Sequence, residues 1–160
     1  MGRLHCHRRY DCAMQPSADE VAERLRHHGL RATAPRVAVL RAVSEIEGHP
    51  DTETITGHVR TMLGTVSIQA VYDSLHAMTQ AGLLRRIEPA GSPARYETRV
   101  GDNHHHIVCR SCGAARDIDC VIGAAPCLTP GETLDFLIDE AEVTFWGLCP
   151  DCQPAHQQVA

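Results

Sequence analysis

The chain of 160 residues has a formal net charge of -5, and it contains 8 cysteines, 11 histidines and 15 basic residues that are all arginine. This length allows one large domain or two small ones. The sequence contains neither the ~20 consecutive apolar residues of a membrane span nor an apolar signal-peptide stretch. We therefore predict a cytoplasmic protein, in which the cysteines serve as metal ligands or redox thiols rather than as a disulfide framework.

Charge is divided unevenly along the chain. Residues 1–87 hold 11 arginines and 9 acidic residues, a net charge of +2, whereas residues 88–160 hold 4 arginines and 11 acidic residues, a net charge of -7. A front half of this kind can present a basic face to nucleic acid, while an acidic back half suits cations. We predict two domains of different function. The predicted segments are a disordered extension at 1–15, a DNA-binding domain at 16–100, a metal-binding dimerisation domain at 101–153 and a tail at 154–160.

Start and stop signals divide the front half into four predicted helices. Each begins at a capping residue, continues with apolar residues at helical spacing, and stops at a glycine or a Gly-His-Pro break. The predicted N-caps are Ser17, Thr33, Asp51 and Ser67. Two strand-like runs follow, at residues 83–89 and 94–100, joined by a short hairpin connection. Four helices followed by a two-stranded hairpin predict a winged helix-turn-helix.

The fourth predicted helix carries the candidate DNA-reading surface. Its outer face shows Gln69, Tyr72, Asp73 and His76. These side chains offer hydrogen-bonding groups and an aromatic ring with only one acid, which suits a major groove. Nearby arginines are expected to meet phosphates, namely Arg31, Arg36, Arg85 and Arg86. The alternative interpretation is a solvated helix face in a four-helix protein.

Two Cys-x-x-Cys pairs define the back half. They are formed by Cys109, Cys112, Cys149 and Cys152. Each pair bends the chain tightly enough to aim two thiolates at one centre, and four thiolates fit a tetrahedral Zn²⁺ with no open position. We therefore predict a structural zinc site that ties the strand around His106 to the last strand. A thiol redox motif is the alternative, which two pairs without a thioredoxin-like pattern disfavour.

Three consecutive histidines precede the first cysteine pair. In a strand, His104 and His106 share one face while His105 takes the other. Asp117 on the next predicted strand and Glu97 at the end of the wing are candidate oxygen ligands. Imidazoles and carboxylates without sulfur favour Fe²⁺, Mn²⁺, Ni²⁺ or an exchangeable Zn²⁺. A polar surface run is the alternative.

Several motifs together resemble the ferric uptake regulator (Fur) superfamily. They are SIQAVYDSL, GHPDTETI, HHHIVCRSCG and the terminal CPDC, and the similarity extends over roughly residues 17–153. Two longer stretches, ARYETRVGDNHHHIVCRSCG and DEAEVTFWGLCPDC, are most similar to the actinobacterial, peroxide-responsive FurA/CatR branch, which accompanies catalase-peroxidase genes. The resemblance implies an α+β protein, with an N-terminal winged helix-turn-helix domain followed by a small α/β dimerisation domain.

The resemblance also implies roles for individual residues. It matches the four cysteines of the two pairs to a structural Zn²⁺ site. It implies a regulatory site for Fe²⁺ or Mn²⁺ built from His49, Glu97, His104, His106 and Asp117. It places Gln69 and Tyr72 in the recognition helix and Arg36 near the region that contacts the DNA backbone. The family acts as a homodimer on near-palindromic, double-stranded operator DNA, with no membrane partner.

The chain departs from the family at two places. Many members have a further metal site, but the corresponding positions here hold Asn103, Ala124 and Ala141. We therefore predict that this site is missing, and we expect His105 at the surface. Peroxide sensors usually carry Asp where this chain has Glu97.

Four cysteines are left without a predicted metal role. For Cys120 and Cys127 a small apolar role is favoured over a redox role. Cys6 and Cys12 lie in the N-terminal extension, ahead of Met14, which is an alternative start of translation.

The main functional prediction is a repressor that responds to metal and peroxide and controls catalase-peroxidase or other oxidative-stress and iron genes. A plain iron, zinc or nickel uptake regulator is the alternative. A zinc-dependent nucleic-acid enzyme is the least favoured class, because the chain lacks the H-x-E and P-C-x-x-C motifs of the deaminases.

Overall fold

The computed structural model describes residues 16–101, 104–119, 134, 135, 137 and 143–153. The predictions for the extension, the tail, Cys6, Cys12, Cys120 and Cys127 lie outside these residues, as do those for Asn103, Ala124 and Ala141. Within the described ranges, every helix is too short or too polar to cross a lipid bilayer.

Four helices form the N-terminal half, as predicted. They are α1 (Ala18–His27), α2 (Ala34–Glu45), α3 (Thr52–Leu63) and α4 (Ile68–Gln80). The side chains of Ser17, Asp51 and Ser67 accept hydrogen bonds from first-turn amides, as N-caps do. Thr33 occupies the N-cap position of α2, but its side chain makes no capping bond. Pro35 in the first turn removes one of the amides that such a hydroxyl could bind.

Apolar stripes at helical spacing pack these helices around one core. The fully buried members include Val21, Leu25, Val39, Leu40, Ile55, Val59, Val71, Leu75 and Met78. Burying a side chain of this size contributes about 1.5–3 kcal/mol, so the core fixes how the helices pack. Tyr96 reaches the same core from the wing. The wing is therefore part of the helical domain.

The wing is a two-stranded antiparallel hairpin of β1 (Arg85–Ile87) and β2 (Arg95–Glu97). Arg85 pairs with Glu97 across the strands and Arg86 pairs with Tyr96, so each pair shares one face of the hairpin. Arg85 Nε lies 3.8 Å from Glu97 Oε1, and only 18% of its side chain is exposed. Arg85 thus faces Glu97, and its predicted phosphate contact stays a prediction, whereas Arg86 is about half exposed.

The described residues of the C-terminal half form a three-stranded sheet. It contains β3 (His104–Cys109), β4 (Ala115–Asp119) and β5 (Thr144–Gly147), in the order β4-β3-β5. β3 runs antiparallel to β4 and parallel to β5. A 3-10 turn, Pro150–Cys152, follows β5. The predicted association of the histidine strand with the last strand is confirmed.

The turn between α2 and α3, residues 47–50, docks onto the C-terminal half and is called the hinge turn below. Its Gly48 adopts a φ of +85°, and a Cβ at this residue would stand 3.4 Å from the Ala115 carbonyl oxygen. Arg116 Nη1 donates to Glu47 Oε1 at 2.8 Å. Arg95 Nη1 donates to the His49 carbonyl oxygen at 2.9 Å. The approach of Gly48 to Ala115 and the Arg116–Glu47 bond join the helical domain to β4, while the Arg95 bond ties the hinge turn to the wing.

Candidate metal centres

The four cysteines of the two pairs converge on one point. The turn after β3 and the 3-10 turn after β5 bring their sulfurs within 4.8 Å of one another. Cys112 Sγ lies 3.7 Å from Cys149 Sγ, and all four thiols are free. Sulfurs at ~2.3 Å from a tetrahedral Zn²⁺ stand ~3.8 Å apart, whereas a disulfide requires about 2.05 Å. The sulfur geometry therefore fits zinc.

The pKa values of two thiols in this cluster are shifted in opposite directions. Hydrogen bonds from the backbone amides of Cys112 and Cys149 lower the pKa of Cys109 to about 6. A hydrogen bond with Cys152 raises the pKa of Cys149 to about 12, because closely spaced sulfurs cannot all carry a negative charge alone. A bound Zn²⁺ would stabilise all four thiolates and displace those protons.

The second cluster joins the hinge turn to the sheet. His49 Nε2 lies 2.9 Å from Glu97 Oε2 and 2.7 Å from Asp117 Oδ1. His104 Nε2 lies 3.1 Å from Glu97 Oε2. His106 Nε2 lies 3.5 Å from Glu97 Oε1 and 3.7 Å from Asp117 Oδ1. The five residues of the predicted regulatory site are thus adjacent, and their role as metal ligands stays a prediction.

The ligand atoms of this cluster lie close enough together to share one metal ion. Nitrogen and oxygen ligands at ~2.1 Å from a common ion stand roughly 3.0 to 4.2 Å apart. Ligand atoms from His49, Glu97, His106 and Asp117 all lie within 4.8 Å of one another. The three histidines and Glu97 are at most 6% exposed, whereas Asp117 is partly exposed. An ion would therefore reach solvent on the Asp117 side.

A second hydrogen bond orients His49. Its Nδ1 donates to the Ala115 carbonyl oxygen at 3.3 Å. With the proton held on Nδ1, the Nε2 lone pair can face an ion, as is usual for histidine ligands. The sequence spacing could not predict the contact of His49 with Ala115 or with Glu97, because 66 and 48 residues separate these pairs. Only the family resemblance indicated His49 from the sequence.

Charge pairing between imidazoles and carboxylates holds this cluster together. Burial alone would lower the pKa of His49, but hydrogen bonds to Asp117 and Glu97 outweigh it and raise this pKa to about 9. Burial alone would raise the pKa of Glu97, but hydrogen bonds from His106 and His49 outweigh it and lower this pKa to about 2. The pKa of Asp117 is also lowered, with His49 outweighing burial. His49 therefore carries the proton at neutral pH.

Metal affinity at this cluster should consequently increase with pH. An ion that binds His49 Nε2 must displace its proton, so below about pH 9 each pH unit should tighten apparent binding ~10-fold, and above it the gain should level off. Titration with Mn²⁺ at several pH values and constant ionic strength measures this slope. The slope should persist in His58→Ala, whose imidazole bonds Glu45 instead. Affinity independent of pH would contradict proton displacement from His49.

His105 differs from its prediction. Strand alternation correctly separates it from its two neighbours, but it is only 4% exposed rather than at the surface. Its ring packs edge-on against Phe145, with centroids 6.3 Å apart. Its Nδ1 has no hydrogen-bond partner within the described part of the chain. Alternation identifies the face of a strand, but it does not tell which faces are covered.

The predicted DNA-reading residues lie on the exposed side of α4. Tyr72 is 49% exposed, and the Gln69 amide donates to Asp73 Oδ1 at 2.8 Å. Together with His76 and Arg86 they line an open groove of about 830 Å³ between α4 and the wing. Arg36 lies apart from this groove, at the start of α2, where it donates to the Arg31 carbonyl oxygen at 3.2 Å.

Comparison with known proteins places these features in one family. The model of the "Ferric uptake regulator family" matches residues 27–122. The transcriptional regulator FurA of Mycobacterium tuberculosis is 64% identical over 136 residues, which cover 85% of this chain and 92% of that protein. The peroxide-responsive repressor PerR of Staphylococcus saprophyticus is 27% identical over 134 residues, or 81% of this chain and 86% of that protein.

Solved structures agree on the fold. The ferric uptake regulator of Helicobacter pylori, whose structure has three functional metal-binding sites, superposes with a TM-score of 0.66 at 21% identity. The superposition covers 89% of this chain and 97% of that one. At this identity the likeness establishes the α+β architecture alone.

Proposed function

The chain belongs to the ferric uptake regulator family, and from this premise we propose that it is an iron-loaded, peroxide-responsive repressor that controls catalase-peroxidase or related oxidative-stress genes. Members of the family are metal-responsive transcriptional regulators rather than enzymes. The finer assignment depends on which ion the His-carboxylate cluster binds and on what happens to its histidines. We propose that the two segments perform different parts of this function. Residues 16–100 would bind DNA, and residues 101–153 would bind metal and form the dimer.

One observation carries the proposal: the cluster takes ligands from both halves of the chain. His49 comes from the hinge turn of the helical domain, while His104, His106 and Asp117 come from the sheet. An ion bound to all of them would fix the orientation of the helical domain relative to the sheet. In a dimer, that orientation sets the distance between the two recognition helices, which must match successive major grooves.

Dimerisation is supported by an exposed apolar surface on the sheet. Ile107 and Phe145 are neighbours in the pairing of β3 with β5, and they are 40% and 41% exposed. Leu148, just after β5, is also exposed. Large apolar side chains clustered in this way are typical of protein interfaces. We propose that this surface belongs to the homodimer contact.

DNA contacts are proposed at two kinds of position. Gln69 and Tyr72 would read base edges from α4, and Arg36 would bind a phosphate. Tyr72→Ala is expected to reduce the preference for the operator over unrelated DNA by about 1–3 kcal/mol, whereas Arg36→Ala should weaken all sequences about equally and flatten the salt dependence. Fluorescence anisotropy on both DNAs over a range of salt separates the two effects. Unchanged operator preference in Tyr72→Ala would exclude this face of α4.

The ligand set is compatible with Fe²⁺ or Mn²⁺, as it is with Ni²⁺ or an exchangeable Zn²⁺, and the family resemblance favours the first two. Imidazoles and carboxylates without sulfur suit these ions, and the four-cysteine site suits a closed, redox-inactive Zn²⁺. When bound, Fe²⁺ can reduce hydrogen peroxide, which Mn²⁺ at the same ligands does much less readily. We propose that His49 or His104 then takes up one oxygen atom from peroxide, with release of water. An oxidised imidazole is a poorer ligand, so the hinge turn would detach and the operator would be released.

Peptide mass spectrometry after peroxide treatment tests this mechanism. Iron-loaded protein should gain one oxygen on the peptide containing His49 or His104, and manganese-loaded protein should not. The same samples should lose operator binding only when loaded with iron. If the cysteines are oxidised while both histidines stay unmodified, a thiol sensor replaces the proposal. If iron-dependent operator binding survives peroxide, a plain iron regulator replaces it.

A further inference from the structure

Each carboxylate of the proposed regulatory centre has an arginine beside it. Asp117 directs Oδ1 toward His49, and its Oδ2 lies 3.8 Å from Arg99 Nη1. Glu97 contacts His49 through Oε2, and its Oε1 lies 3.8 Å from Arg85 Nε. The cluster is therefore flanked by two positive charges, one on the wing and one on the segment that follows it.

The two arginines differ in their freedom to move. Arg85 pairs with Glu97 across the wing strands and is 18% exposed, so solvent screens it poorly. Arg99 lies outside the strands and is 34% exposed. A guanidinium remains charged at any physiological pH. An ion bound to Glu97 would therefore always have the Arg85 charge nearby.

Both arginines would affect a cation held by these carboxylates. A divalent ion bound to Glu97 and Asp117 would stand close to the two guanidinium groups, and like charges repel each other. We propose that Arg85 and Arg99 are positioning residues, which hold Glu97 and Asp117 in place without metal and lower the affinity of the centre for divalent cations. Such a centre exchanges its ion with the surroundings, unlike the four-cysteine site. This inference rests on the proposed regulatory centre.

Mn²⁺ titration of the zinc-loaded, full-length protein tests it, with free Mn²⁺ measured by electron paramagnetic resonance. Arg85→Gln removes the charge and keeps the side-chain length, and it should bind Mn²⁺ ~10-fold tighter or more because like charges at close range repel strongly in a buried site. Arg85→Lys keeps the charge and should stay within roughly threefold of the parent. Arg86→Gln, one residue along β1 and facing the other way, is the matched control and should leave the affinity unchanged.

Arg99→Gln gives an independent measurement, in case Arg85→Gln fails to fold. It should tighten Mn²⁺ binding roughly threefold at low salt, and the gain should fade as salt screens this more exposed charge. Unchanged or weaker binding in Arg85→Gln, or no gain for Arg99→Gln at low salt, overturns the inference alone. A parent protein that binds no Mn²⁺ in addition to its zinc overturns the proposed centre and this inference together.

Discussion

Cys149→Ser is expected to release the zinc ion, unfold the C-terminal sheet and abolish dimerisation. Cys149 Sγ is 3.7 Å from Cys112 Sγ, and its backbone amide donates to Cys109 Sγ at 3.3 Å. The residue therefore connects the end of β5 to the turn after β3. Zinc binding to such sites contributes about 10–16 kcal/mol to folding, which is comparable to the whole stability of a typical domain, about 5–15 kcal/mol.

The strands cannot compensate for this loss. β5 contains only four residues and, among the strands that the structure describes, lies at the edge of the sheet, so its described backbone hydrogen bonds are few without the ion. Zinc content by mass spectrometry, circular dichroism and analytical ultracentrifugation measure the three expected losses. Ser111→Ala changes an exposed residue of the same turn and should retain zinc, fold and dimer. A Cys149→Ser protein that stays a folded, zinc-free dimer would falsify the structural role.

His49→Ala is expected to separate metal binding from DNA binding. The variant removes the ligand that the hinge turn offers, which is also the imidazole closest to the carboxylates of Glu97 and Asp117. Operator affinity should become low at every metal concentration, with a loss of the metal-dependent coupling of about 1–3 kcal/mol. Zinc should be retained, because the four sulfurs lie apart from this cluster.

Operator binding with and without Mn²⁺ measures this coupling. His58→Ala is the matched control, because His58 lies in the same domain but bonds Glu45 at 3.0 Å rather than the cluster. The control should keep the full metal dependence of the parent. Equal metal dependence in His49→Ala and in the parent would show that the hinge turn does not transmit the signal.

Local signals in the sequence determined most of the elements. Ser17, Asp51 and Ser67 each cap a helix where predicted, because the bond from an N-cap side chain to a first-turn amide involves residues three apart. The spacing within each cysteine pair likewise determines a tight turn, and four such sulfurs have few alternatives to a shared ion. Strand alternation placed His104 and His106 on one face, because this pattern also depends only on residues close together in the chain.

Contacts between distant residues were decided only by the tertiary structure. His49 lies 48 residues from Glu97 and 66 from Ala115, and docking of the hinge turn brings them together. Arg85 looked like a phosphate contact, but the register of the wing directs it toward Glu97. Periodicity names the face on which a side chain lies, whereas packing decides what that face meets. Which side chains are buried, and which charges pair, is therefore decided only when distant segments pack together in the folded protein.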